Sequence, residues 1–234
     1  MTMATRYLAR LSKPWNRTEG SYLILYDYWR SSAAYRVRIA LNLKNIAYQS
    51  VPVNLIKDGG EQHRPPFNQL NPNELVPVLI DGDVELNQSL TIIDYLDAHY
   101  PEPRLVPRDE RLRYQVTALA QDIAIDIHPI NNLRVIQHLS KTFGIDDDGK
   151  QDWMRHWINK GFNALEQKLT VTSGKCCVGD EVSLADVCLV PQVYNARRFG
   201  VDMSSYPHIV KIVSHLQQLD AFEQAEPEQQ PDAT

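Results

Sequence analysis

Residues 101–110, PEPRLVPRDE, divide the chain into two unlike halves. Three prolines in ten residues interrupt helix and strand alike. Each fixes its own φ, lacks an N–H and disfavours helix in the residue before it. Before this stretch, short apolar runs alternate with helical stripes. After it, only helical spacing occurs. Strands and helices followed by helices alone specify separate domains, a small α/β unit and a larger all-helical one.

The first half reads β-α-β-loop-β-β-α. YLILYDYW, residues 22–29, has the apolar and aromatic content of a buried strand. After Ser31 and Ser32, the apolar residues Val37, Ile39, Ala40, Leu41 and Leu43 form a helical stripe. AYQSVPVNL predicts a second strand. Residues 56–74 are mostly polar and hold Gly59, Gly60, Pro65, Pro66 and Pro72, which predicts a loop with one short helix. VPVLIDGDVELN predicts a hairpin turning at Asp81-Gly82-Asp83. QSLTIIDYLDAHY predicts a helix with Leu90, Ile93 and Leu96 inward.

In the second half, residues 109–140, 150–170, 183–198 and 206–218 show helical spacing. Ser183 and Asp186 have the spacing of a capping box, and Val182 with Val187 that of a hydrophobic staple. Pro191 inside the third of these helices predicts a kink. The expected boundaries are an extension at 1–21, disordered or processed, an α/β domain at 22–102 and a helical domain at 108–234.

The net charge of −5 argues against a nucleic-acid partner, because phosphate binding needs a basic surface. Cys176, Cys177 and Cys188 are few, odd in number and clustered. They suit a reducing compartment and lack the spacing of a zinc site, so no metal is expected. No apolar run reaches the roughly 18–20 residues that span a membrane. The first twenty residues carry Arg6, Arg10, Lys13 and Arg17 against Glu19. They fit a transit peptide or a disordered extension, and lack the apolar region of a secretion signal.

Three junctions invite chemistry. Pro77 begins a strand that should pair centrally, where proline is normally excluded. A cis Val76-Pro77 bond is one solution, and a trans proline at a strand end is the other. Gln88-Ser89 precedes a helix whose first N–H groups are unpaired and favour an anion; Ser89 also suits the N-cap. One of Ser31 and Ser32 caps the helix from Ala33, or its hydroxyl and the helix N-terminus hold a thiolate. A donated hydrogen bond and a helix N-terminus both favour a charged sulfur. No cysteine of this chain lies near in sequence, so a ligand would bring the thiol.

The motifs RSSAAYRVRIALNLK, NLIKDGGEQ, LNPNELVPVLI, QSLTIIDYL, DIHPINNLRV, VGDEVSLADVCLVPQVYNARRF and the terminal QPDAT occur in this order. Together they resemble the zeta class of the glutathione transferase superfamily, the maleylacetoacetate isomerases, over residues 22–234. The resemblance implies a thioredoxin-like N-terminal domain, an all-α C-terminal domain, glutathione as cosubstrate, a cytoplasmic location and a homodimer. It implies that Ser31, with Ser32 beside it, faces the thiol, and that Gln62 and the backbone of Val76 hold the cysteinyl and glycyl parts. Gln88 and Ser89 would bind the γ-glutamyl end. His128 and Asn132 would approach from the helical domain. One departure stands out: the family usually has Ser-Ser-Cys where this chain has Ser31-Ser32-Ala33.

The implied reaction is cis–trans isomerisation of a conjugated dicarboxylate, maleylacetoacetate to fumarylacetoacetate in phenylalanine and tyrosine catabolism. Maleylpyruvate isomerisation and general glutathione conjugation are the alternatives, and a non-catalytic interaction module is a third. A dianionic substrate asks for arginines, whose planar fork matches carboxylates. Arg30, Arg134 and Arg198 are the candidates. Arg197 competes with Arg198, because adjacent helix residues point about 100° apart. Arg36 takes a structural or glutathione-side role.

Overall fold

The computed structural model describes residues 23–234. The expectations for residues 1–21 lie outside the described residues. The first half forms β1 (Leu23–Asp27), α1 (Ser32–Leu43), β2 (Tyr48–Pro52), the short helix α2 (Phe67–Leu70), β3 (Val78–Asp81), β4 (Val84–Asn87) and α3 (Ser89–His99). The sheet order is β2-β1-β3-β4, with β1 parallel to β2 and antiparallel to β3. This is the thioredoxin-like arrangement.

The pattern of side chains explains it. Leu25 pairs with Leu79, and Leu79 with Leu86, so apolar residues line up across the sheet. Leu25 and Leu79 are fully buried, as are Val37, Ile39 and Leu41 of α1. In α3 the inward residues are Ile92, Ile93 and Leu96, whereas Leu90 is only half-buried. The hairpin turns at Gly82, whose φ of 60° glycine adopts at no steric cost. The Val76-Pro77 bond is cis, as are Pro65-Pro66 and Glu102-Pro103, which the sequence did not suggest.

The helical half comprises α4 (Glu110–Gln121), α5 (Leu133–Phe143), α6 (Asp147–Thr172), α7 (Leu184–Arg198), α8 (Pro207–Leu216) and the short α9 (Asp220–Glu223). The single helix expected over 109–140 is broken. After α4 the backbone widens into a π-helical turn at Asp122–Ile127, tightens at Pro129–Asn131 and restarts at Leu133. Pro129 is the physical reason: it has no N–H to continue the helical ladder, and the chain turns extended at Asn132, with ψ of 148°, before the restart. α7 runs without interruption through Pro191. Its N-terminus carries the expected capping pair, with Ser183 N–H donating to Asp186 Oδ2 at 2.8 Å. The other oxygen, Oδ1, accepts from the N–H of Cys177 at 2.8 Å.

The two halves share one core. A single cluster of buried apolar residues runs from Leu25 and Ile39 through Leu105 to Val187 and Ile212. The proline-rich linker is fastened at the boundary. Lys44, buried at the C-cap of α1, pairs with Asp97 at 2.7 Å and donates to the carbonyls of Tyr100 and Pro103. Asp97 in turn accepts from the N–H of Leu105 and Val106. The Leu105 carbonyl accepts from Leu184 N–H, joining the linker to α7.

Candidate active site

Ser31 is the N-cap of α1, and its Oγ accepts the Ala34 N–H at 3.3 Å. The helix thus starts at Ser32, one residue earlier than expected. Capping uses an oxygen lone pair and leaves the hydroxyl proton free to donate. Ser32 is 4% exposed and its Oγ accepts from Asn195 Nδ2 of α7 at 2.7 Å. The two serines are therefore not equivalent, because Ser32 ties the domains together.

At the second junction Gln88, not Ser89, is the N-cap of α3, and it makes no side-chain capping bond. Its φ of 69° is unusual for a residue with a side chain and is sustained only by its surroundings. The first N–H groups of α3 have no side-chain cap, which suits an anion. Ser89 is the first helical residue, 5% exposed, and its Oγ accepts from Arg36 Nη1 at 3.3 Å.

Arg36 is 2% exposed, and its Nε and Nη2 have no hydrogen-bond partner. Among the described residues no carboxylate pairs with it. Burial pushes its pKa below the usual guanidinium range. A buried, unneutralised cation is costly and calls for an anion from outside.

The break after α4 supplies the opposite wall. His128 sits before Pro129, and Asn132 caps α5 with Oδ1 on the Arg134 N–H at 3.2 Å. Burial, then the charges of Arg36 and Arg134, push His128 down to about 3. At neutral pH it is an uncharged imidazole.

These walls enclose two cavities. One, of about 400 Å³, is lined by Ser31, Ser32, Arg30, Asn195 and Arg198, with Leu55, Met154 and Lys150 around it. The other, of about 380 Å³, is lined by Ala33, Arg36, Val76, Gln88, Ser89 and Arg134. His128 and Asn132 line both, so the cavities meet at the helical break.

The three arginines expected to converge do not share a cavity. Arg30 and Arg198 face the first, where Arg198 is pushed down by burial and then by the charge of Arg30. Arg30 lies over the Trp29 ring at 4.5 Å and Arg198 over Phe199 at 4.9 Å. Neither pairs with a carboxylate among the described residues. Arg134 lines the second cavity, because the restart of the chain at Leu133 turns it toward α3. Arg197 donates to Gln217 Oε1 and lines neither cavity. Gln62 also lies outside both. It is 5% exposed, and its Nε2 donates to the carbonyl of Leu55, so it backs the wall of the first cavity.

Sequence reasoning left several lining residues unnamed. Asn195 was accessible to it, since it lies three residues before Arg198 and therefore on the same helix face. Lys150 and Met154 of α6 gave no signal of their own.

The cysteines supply no nucleophile. All three are buried; burial, followed by the charge of Asp186, raises Cys176 to about 12, and burial raises Cys188 to about 11. The site thus offers a helix N-terminus, a hydroxyl donor and two neighbouring cations, but among the described residues no thiol of its own.

Known proteins resemble the chain in both halves. The family model described as "Glutathione S-transferase, N-terminal domain" matches residues 25–104, and "Glutathione S-transferase, C-terminal domain" matches residues 139–220. A probable maleylacetoacetate isomerase of Vibrio cholerae is 62% identical over 90% of this chain and 98% of its own. A bacterial zeta-class maleylpyruvate isomerase, solved in its holo form, is 45% identical over 90% of this chain and 100% of its own, with a TM-score of 0.87. The maleylacetoacetate isomerase of Methylobacterium extorquens AM1, solved with malonate and glutathione bound, is 40% identical over 90% of this chain and 99% of its own, with a TM-score of 0.87. A glutathione-transferase fold in both halves, together with this degree of identity along nearly the whole described chain, makes the protein a member of the zeta-class glutathione S-transferase and maleylacetoacetate isomerase family.

Proposed function

We propose that the protein is a glutathione-dependent cis–trans isomerase of conjugated dicarboxylates, converting maleylacetoacetate to fumarylacetoacetate in phenylalanine and tyrosine breakdown. The observation that carries this is the pair of unneutralised arginines, Arg30 and Arg198, in one 400 Å³ cavity with Ser31. A cavity of this size suits a small ligand, and two guanidinium groups suit two carboxylates. An apolar pocket would fit a general conjugating enzyme better.

The second cavity fits glutathione. An uncapped helix N-terminus, a buried cation without a counter-ion and the backbone of Val76 suit a peptide with a terminal carboxylate. Gln88, Ser89 and Val76 hold the tripeptide there, with Arg36 and Arg134 supplying positive charge and His128 and Asn132 closing the helical side. Glutathione held there would supply the thiolate for reversible addition to the cis double bond, which becomes single, and free to rotate, while the sulfur is attached. Ser31 donates its hydroxyl proton toward the sulfur and, with the N-terminus of α1, favours the charged form. Arg30 and Arg198 hold the dicarboxylate and stabilise the negative charge that develops beside its carbonyl. Neutral His128 keeps a further positive charge out of the wall between the cavities. The working form is a cytoplasmic homodimer.

Maleylpyruvate is a second substrate reading, favoured by the 45% identity to a solved zeta-class maleylpyruvate isomerase over 90% of this chain. Ala33 lines the glutathione-side cavity, away from the arginines, so its identity leaves the carboxylate-binding groups intact. The test follows loss of cis-substrate absorbance for both compounds with and without glutathione. Turnover only with glutathione is expected, faster with maleylacetoacetate. Equal rates without it refute the mechanism.

A further inference from the structure

The terminal motif QPDAT has no part in the reaction, yet it reaches the back of the active-site turn. The Asp232 Oδ2 accepts the N–H of Trp29 at 3.2 Å, across 203 residues of sequence. The carbonyl of Trp29 accepts from Arg38 Nη2 at 3.0 Å. Both backbone polar groups of Trp29 are thus held, one by the tail and one by α1. Arg38 is itself fixed, paired with Asp27 at 2.8 Å and donating to the carbonyl of Ala225. The Trp29 ring, 6% exposed, carries the guanidinium of Arg30 at 4.5 Å. Arg30 faces the cavity.

The tail is anchored well enough to act as a support. Gln230 donates from Nε2 to the carbonyls of Gln224 and Glu226, and Ala233 packs against the cluster that contains Tyr28 and Trp29. Upstream, Glu228 accepts from the Tyr194 hydroxyl at 2.6 Å. At 3.2 Å the bond is at the long end of the N–H···O range, yet a half-buried carboxylate on a main-chain N–H is directional and orients the peptide plane.

We propose that Asp232 is a positioning residue for the carboxylate-binding arginine: through Trp29 it fixes the platform on which Arg30 lies. The role rests on the dicarboxylate site proposed above. It is selective, because Ser31 has two further holds of its own. The Ser31 N–H donates to the Tyr28 carbonyl at 2.8 Å, and its Oγ caps α1. Loss of Asp232 therefore disturbs Arg30 while the sulfur-binding groups keep their places.

The test titrates malonate, a simple dicarboxylate, into glutathione-saturated protein by calorimetry. Asp232→Ala weakens malonate about three- to tenfold, as expected for losing part of one oriented charged contact. Glutathione affinity stays within about twofold, the margin of small rearrangements. Asp232→Asn keeps an oxygen acceptor for the Trp29 N–H and restores malonate binding. Arg30→Ala is run beside them. Unchanged malonate affinity in Asp232→Ala overturns the positioning role while leaving the site intact. Equal weakening of both ligands overturns it as well, since that reports a general distortion. If Arg30→Ala binds malonate as well as the parent protein, the dicarboxylate site is wrong and the role of Asp232 falls with it.

Discussion

Replacing Arg36 with Met should stabilise the free protein and weaken glutathione binding at the same time. The two effects have one origin. Arg36 is 2% exposed, makes one hydrogen bond at 3.3 Å and leaves Nε and Nη2 unpaired. Exchanging a buried ionic group for an apolar one of similar size is neutral or stabilising by about 1–4 kcal/mol. The Ser89 hydroxyl loses its donor, at a cost of about 1 kcal/mol. The net gain is about 0–3 kcal/mol, and at about 2–4 °C per kcal/mol for a chain of this length the Tm holds or rises by up to about 10 °C. The same charge assists an anion at the α3 N-terminus, and a hydrogen bond to a charged group is worth about 1.5–3 kcal/mol. The Kd for glutathione then rises about 10- to 150-fold. Thermal shift measures both. At glutathione fixed at about 100 times the parent Kd, the ligand stabilises the parent by about 2.7 kcal/mol and the variant by about 0.3–1.4 kcal/mol. A variant with a lower Tm and full stabilisation by glutathione would mean that Arg36 is a structural cation, and would refute the reasoning.

Ser31→Ala removes the hydroxyl donor, so ultraviolet titration of bound glutathione should find its thiolate forming at a pH about 1–2 units higher. Its Tm falls with the loss of the α1 cap, by about 0.5–2 kcal/mol of stability. Arg198→Ala raises KM for the dicarboxylate about tenfold or more and leaves KM for glutathione unchanged, whereas Arg134→Ala does the reverse and Arg197→Ala does neither; steady-state kinetics with each substrate varied in turn separates them. His128 is held below its unfolded pKa of about 6.5, so protonation favours the unfolded chain, and the stability it contributes above that pH is lost as pH falls toward about 3. His128→Gln should therefore flatten the decline of Tm between about pH 6 and 4, removing up to about 1.4 kcal/mol per pH unit. A parallel decline in parent and variant would show that His128 is not held uncharged in the folded chain.

The strand–helix order of the first half was legible because β1 alternates, with Leu23, Leu25 and Asp27 buried between half-buried residues, and because the apolar run of α1, buried from Ala34 to Leu41, follows two serines suited to cap it. The break at Asp122–Asn132 was hidden, since apolar spacing persists through a π-helical turn and only Pro129 marks the disruption. The same break decides the fate of Arg134. Spacing along a chain tells which face of an element a residue occupies, but not which of two adjoining cavities that face meets. Arg30 and Arg198 needed no such information, because both sit where an element ends beside the β1–α1 turn. At Gln88-Ser89 residue preference favoured serine as the cap, while the turn out of β4 placed the positive φ one residue earlier. Arg36 and Arg38 flank Val37 in an otherwise apolar stretch. Nothing in their spacing separates the one that pairs with Asp27 from the one left without a counter-ion.

The continuous buried cluster from β1 to α8 has a consequence for how the molecule comes apart. Leu105 is fully buried within it, and the Lys44–Asp97 pair beside it is sealed from water. Because the linker is itself core, neither half can shed the other without exposing apolar surface and an ion pair. Denaturant should meet one unit: Trp29 in the β1–α1 turn and Trp153 and Trp157 of α6 report a single transition with one midpoint, and fragments cut in the linker fold only when mixed.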